Sequence, residues 1–295
     1  VPDSVKVYDL YGNPVAESGK LDARPVWFVG RDLKKNLNIS PDELFAVDGI
    51  RSIDGKEKMI VLEVRNRSSE TQNVQVKPRG VKGKQSAVIP AGSAHSFFFP
   101  VTEFKPEYTV IMTNGKKMQS VKCPVIPARK HLKSGAVQTM PYGSFRVTAN
   151  AEGLNFQITV KDDKRGEYNL KTPWEGDGVE LFLDAKPFAG LNRSIYNEHV
   201  FRVFANPATK SHKAMLTTSA NLDADSIRWE ISEKGADFDV IIQIPWKSLK
   251  LKGPSDVTFD IAVNDNDAEK RLSSIPWSGN GENYKNRFNF GTLIQ

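Results

Sequence analysis

Aromatic rings, an arginine and a carboxylate recur in a fixed order through the last third of this chain. PWEGDGVELFLDAKP (Pro173–Pro187) carries Trp174 and Glu180, HVFRVFANP (His199–Pro207) carries Arg202, and PWSGNGENYKNRFNFGTL (Pro276–Leu293) carries Tyr284. A pyranose has C–H faces that stack on aromatic planes, and its hydroxyl pairs suit bidentate arginine and carboxylate partners. This is equipment for holding a sugar among alternating strands. Catalysis would need a nucleophile beside a base, or two carboxylates flanking a cleft. With 35 acidic residues some carboxylate pair can always be proposed, so the acids alone carry no signal. HExxH, GxSxG, P-loop and GxGxxG patterns are absent, and His95, His131, His199 and His212 have no metal-ligand spacing. The chain is read as noncatalytic.

The elements that must position these residues are strands. Helical periodicity is almost absent, and short alternating or apolar runs are broken by Gly, Pro, Asn and Asp. The expected fold is all-β: two antiparallel β-sandwich domains in tandem behind an N-terminal strand remnant. Residues 1–30 have too few strands for a core of their own. Residues 31–127 carry the spacing of an antiparallel sandwich, read as a fibronectin-like spacer. Within it, TNGK (Thr113–Lys116) predicts a type I′ hairpin turn, and SPDEL (Ser40–Leu44) predicts one helical turn capped by Ser40. Residues 128–141 read as a basic linker, and 142–295 as a second sandwich. Trp246 and Trp277 read as core or loop-plug residues and Trp229 as packing, whereas Trp174 and Tyr284 sit in polar loops.

At WEGDGVE with LFLD, then FRV, IPW, FDIAVND, WS and FGTL, the chain resembles family 9 carbohydrate-binding modules over about Phe145–Ile294. The resemblance implies a β-sandwich in which two aromatic rings sandwich a terminal sugar while polar side chains grip its hydroxyls. Trp174 falls on the first ring and Tyr284, seven residues before Gly291, on the second. Glu180, six residues after Trp174, falls on the gripping Glu, and Arg202 on the gripping Arg. The family's loop Asn maps to Asn280 or Asn283, because the Trp277–Tyr284 loop is one residue short. Ala262 stands where the family has a sugar-contacting Gln, and the usual Asp-Gly and Trp opening before Phe145 is missing. The bland alternative for Glu180 and Arg202 is a structural ion pair.

Calcium is common in the family, and NDND (Asn264–Asp267) offers oxygen ligands, with Asp265 and Asp267 as candidates. A solvated turn is the plain alternative. Some sandwich relatives bind haem through Met, His or Lys; Met215 and His199 lie in the right half of the chain, but no CxxCH is present. A spacer that has lost its ligand is a further alternative. Val5–Gly30 resembles the β-domain that trails a glycoside hydrolase barrel, so the expected partners are a polysaccharide or oligosaccharide and a covalently linked catalytic domain of a secreted, extracellular or periplasmic enzyme.

Composition agrees with a globular chain. The 295 residues are 39% hydrophobic and 26% charged. No apolar run of about eighteen residues predicts a membrane span. The net charge of +6 is scattered, with no nucleic-acid footprint beyond PARKHLK (Pro127–Lys133), although it suits docking to an acidic polysaccharide. The chain begins Val1-Pro2, as expected of a processed protein or a piece of a longer one. The single Cys123 excludes an internal disulfide and reads as a small buried hydrophobe. Asn38, Asn66 and Asn192 head glycosylation sequons.

Overall fold

A computed structural model describes residues 5–9, 26–30, 43–54, 57–126, 130–267 and 271–294, with side chains from residue 43 onward. Strands β1 (Val5–Asp9) and β2 (Val26–Gly30) form an antiparallel two-stranded sheet. The helical turn expected at Ser40–Leu44 falls mostly outside the described residues.

The middle sandwich comprises β3 (Phe45–Asp54), β4 (Lys58–Asn66), β5 (Gln72–Pro78), β6 (Gln85–Ile89), β7 (Ala94–Pro100), β8 (Glu107–Thr113) and β9 (Met118–Ile126). Their order is β6-β5-β8-β9-β3-β4-β7. Alternation places one side of each strand inward, so β8 buries Tyr108, Val110 and Met112 while β7 buries Phe97 and Phe99. The two halves meet where β3 pairs β9 in parallel, at Ile50 and Arg51. The TNGK turn differs from expectation. A type I′ turn needs two residues at positive φ, but only Gly115 adopts it (φ 87°). Asn114 instead accepts the Lys116 and Lys117 amides on its side chain, closing a longer loop. Cys123 is half-buried against the core. The sequon residue Asn66 is buried, donating to the Glu70 and Ile89 carbonyls, so it is no exposed glycan acceptor.

The segment expected as a linker contributes two strands to the second sandwich, β10 (His131–Lys133) and β11 (Val137–Met140). They are followed by β12 (Gly143–Ala149), β13 (Gly153–Val160), β14 (Gly178–Asp184), β15 (Val200–Asn206), β16 (Met215–Thr218), β17 (Arg228–Lys234), β18 (Asp237–Pro245), β19 (Val257–Asp265), β20 (Ser273–Pro276) and β21 (Gly291–Ile294). One sheet runs β11-β12-β13-β18-β17; the other runs β10-β21-β19-β14-β15-β16, with β20 beside β19. The linker reading fails because β10 is too short to show periodicity, and its pairing is a parallel one with the distant β21. Val179, Leu181 and Leu183 of β14 meet Phe156, Ile242 and Phe259 in the core. Trp277 stacks on Phe259 at 4.9 Å, and Trp246 is buried with its indole N–H on the Asn150 carbonyl. Trp229, expected as packing, is exposed on edge strand β17.

The sandwiches dock through the 185–199 loop between β14 and β15. Glu63 of β4 accepts the Gly190 and Leu191 amides at 2.8 and 2.7 Å. Arg51, only 1% exposed, donates to the Pro187 and Phe290 carbonyls. Gly49 lies so close to Leu191 that an added Cβ would sit 2.6 Å from the leucine Cβ. From the other side, Arg287 pairs with Asp184 at 2.6 Å, fully buried, and also donates to the Ala189, Gly190 and Arg193 carbonyls.

Candidate functional site

Strand register assembles the site. Residues directly opposite in an antiparallel pair project to the same face. Glu180 lies opposite both Phe204 and Ala262, and Phe182 lies opposite both Arg202 and Asp260. These side chains therefore share the face of β14, β15 and β19 that points away from the core. Two loops rise over that face: the 3-10 turn Pro173–Glu175, carrying Trp174, and the 278–284 loop, carrying Tyr284. Between them lies a cavity of about 320 Å³. Trp174, Glu180, Arg202, Asn280, Asn283 and Tyr284, all six expected residues, line it, together with Phe182, Ala262 and Arg271.

Each plays a distinct part. Trp174 is half-buried, tilted against Phe204 at 5.9 Å, with the Arg202 guanidinium 5.8 Å from its ring centroid. Tyr284 is 53% exposed at the rim. Glu180 is 2% exposed: one oxygen accepts Arg202 at 2.8 Å, and the other accepts Asn264 at 2.8 Å and Arg271 at 3.1 Å. The ion-pair reading of Glu180 and Arg202 and their place at the cavity hold together, since the pair itself forms part of the cavity wall. Arg202 Nε is buried with no protein partner. Asn283 points inward, donating to Asp260 and accepting the Asn280 amide. Gly279 permits this, because a Cβ there would lie 1.9 Å from the Asn283 side-chain oxygen. Asp260 underlies the loop, accepting the Ile261, Ser278 and Gly279 amides as well as Asn283. Burial pushes its carboxyl up to about 6 despite those donors.

Arg271 escaped sequence reading. In AEKRLSS it looks like one more solvated charge, and only its position ahead of β20 brings it across to Glu180 and to the Trp174 carbonyl at 3.1 Å.

The NDND run divides. Asn264 turns to Glu180 and the Trp174 carbonyl, and Asn266 to the Glu167 carbonyl. Asp265 and Asp267 instead meet Asp162, beyond the end of β13, with one carboxylate oxygen from each within 4.8 Å of the others. Asp162 Oδ2 and Asp267 Oδ1 are buried without hydrogen-bond partners. Burial raises the Asp162 and Asp265 carboxyls, and the Asp267 charge raises Asp265 further. Arg165 stands 3.8 Å from Asp162, and Lys164 donates to the Asp267 carbonyl. Buried carboxylate oxygens without hydrogen bonds are the donors a hard divalent cation takes, so the three acids fit calcium, with Arg165 as a competing charge at Asp162. The two residues weighed for haem are not brought together. His199 precedes β15 and Met215 pairs with its last residue, so they lie roughly 23 Å apart along the strand.

Residues 119–294 match the family described as carbohydrate family 9 binding domain-like. The chain belongs to this family. The family 9 match begins inside β9 and takes in β10 and β11, in keeping with their place in the second sandwich. Endo-1,4-beta-xylanase A of Thermotoga neapolitana is 25% identical over 169 residues, which cover 56% of this chain and 15% of that protein. The chain thus spans a small part of this relative's length. Among solved structures, a family 9 module from Caldicellulosiruptor kristjanssonii in complex with cellotriose is 20% identical, covering 56% of this chain and 92% of that one, with a TM-score of 0.44. The same organism's module in complex with glucose is 20% identical, covering 56% and 95%, with a TM-score of 0.45.

Proposed function

We propose that this chain is a noncatalytic carbohydrate-binding region of a larger, secreted polysaccharide-degrading enzyme. The observation that carries this reading is the convergence of Trp174, Tyr284, Arg202 and Glu180 on one cavity from three separate segments. A terminal sugar stacks on Trp174 and is covered by Tyr284, while the guanidinium groups of Arg202 and Arg271 donate to its oxygens. Glu180 orients both guanidinium groups. Binding of a single sugar is weak, in the micromolar to millimolar range. Its use is avidity, holding a linked catalytic domain at high effective concentration on a polymer. The family match and the xylanase relative support this reading. Affinity electrophoresis through gels containing plant and algal polysaccharides tests it. One polymer is expected to retard the chain, and Trp174→Ala to abolish retardation while leaving its circular dichroism unchanged. Unchanged retardation of a folded Trp174→Ala protein sinks the stacking site.

A structural calcium ion held by Asp162, Asp265 and Asp267 is a second part of the proposal, favoured by the convergence of the three carboxylates and by the buried oxygens of Asp162 and Asp267 that lack hydrogen bonds. It would tie the end of β13 to the end of β19, the strand that carries Ala262 and Asn264.

A further inference from the structure

We propose that the sugar this pocket selects carries an anionic group, a ring carboxylate as in a terminal uronic acid, held by Arg271 together with Arg202. The inference rests on the glycan-binding reading above and narrows its ligand. Among the described residues the cavity is lined by two guanidinium groups and one carboxylate, an excess of one positive charge on those walls. Glu180, the lining acid among the described residues, is almost wholly buried and already holds Arg202, Asn264 and Arg271.

Counting acceptors leads the same way. Asn280 Oδ1 is taken by the Glu282 amide and Asn289. Both ends of the Asn283 amide are engaged, by Asp260 and by the Asn280 amide. Ala262, Pro276 and Phe182 offer no side-chain acceptor, so the acceptors left on the lining are two hydroxyls, those of Ser274 and of Tyr284 at the exposed rim. Asp260 lies below the loop, its oxygens filled by donors. Donors, by contrast, remain. Arg202 binds Glu180 through one nitrogen and leaves Nε buried and unpartnered. Arg271 makes its bonds to Trp174, Glu180 and Asn264 through Nη1 alone, with its side chain 34% exposed. Neutral hydroxyls need acceptors as well as donors. A carboxylate needs only donors, and a guanidinium fork matches its two oxygens. The net charge of +6 favours the approach of an acidic polymer.

The test is calorimetric titration of the whole chain with matched ligands: glucose against glucuronate, galactose against galacturonate and its methyl ester, and a sulfated galactose. The expected result is uronate binding about tenfold tighter than its neutral partner, the scale of one charge-assisted hydrogen bond. The preference is expected to shrink as salt rises, to vanish on methyl esterification, and to vanish in Arg271→Gln. The methyl-ester comparison needs no variant, so a misfolded Arg271→Gln leaves the test standing. Neutral and acidic sugars bound equally, or neutral ones bound tighter, overturn the charge assignment while the glycan-binding reading survives. Preference for the sulfated sugar alone overturns the carboxylate. No binding to any sugar or polymer overturns the glycan-binding reading itself.

Discussion

Asp260 shows how a residue beneath a site can control it. Its carboxylate ties Ser278, Gly279 and Asn283 in place under the rim that carries Tyr284. Burial lifts its folded value to about 6 from 3.8. The folded chain therefore holds a proton between about pH 4 and 6 that the unfolded chain has released. The group's contribution to stability is present below pH 4 and is lost as pH rises through 6. Its effect on binding has the opposite direction. Protonation places a hydrogen among donors only, so the loop loses an acceptor as pH falls below 6. Glycan affinity is expected to drop between pH 7 and 5, measured by titration, with no matching loss of thermal stability from this group. Asp260→Asn is expected to weaken binding at pH 7, where the carboxylate accepts four donors, and to abolish the drop between pH 7 and 5. Affinity that stays flat from pH 7 to 5 in the unsubstituted chain removes this role.

Individual elements carry the site because a seven-residue strand can be buried on both sides. Every residue of β14 is buried: Val179, Leu181 and Leu183 in the core, Glu180 and Phe182 under the cavity, and Asp184 against Arg287. The ends of β13 and β19 meet in the Asp162, Asp265 and Asp267 cluster, where three like charges repel and Arg165 offsets only part of that repulsion. Calcium is expected to raise the melting temperature by several degrees, and chelation to reverse the gain. Asp265→Asn is expected to abolish the response. A melting temperature indifferent to calcium and chelator excludes the ion from this cluster.

Across the whole molecule, the two sandwiches share buried polar contacts rather than a simple tether. Arg51 enters the second sandwich with its guanidinium desolvated, and burial lowers it to about 10. Its partners are the Pro187 and Phe290 carbonyls, and Phe290 packs with Phe182, Val200 and Ala262 beneath the cavity. The middle sandwich thereby bears on the floor of the site. Glu63→Ala leaves the Gly190 and Leu191 amides without their acceptor, at a cost of about 1–3 kcal/mol. The double variant Arg51→Ala, Glu63→Ala is expected to split one cooperative thermal transition into two and to enlarge the radius of gyration measured by X-ray scattering. A single transition at unchanged size shows that docking does not depend on these residues.

Local pattern made much of this protein legible before folding. Alternation in VELFLD and FRVF separated core from site faces, a strand's period of two that any stretch of chain displays by itself. The resemblance to family 9 modules named Trp174, Glu180, Arg202 and Tyr284, which do line one cavity. The rest needed tertiary contact. Asp162 lies about a hundred residues before Asp265, and nothing in either segment marks the other. Arg271 reads as a surface charge until β20 closes against β19. Asn283 reads as a gripping residue until Asp260 turns it inward. Arg51 and Glu63 alternate like any strand charges, and only the approach of the 185–199 loop makes them the seam between sandwiches. Pairing register and loop closure decide which distant side chains meet, and neither is written in the periodicity of the segments that meet.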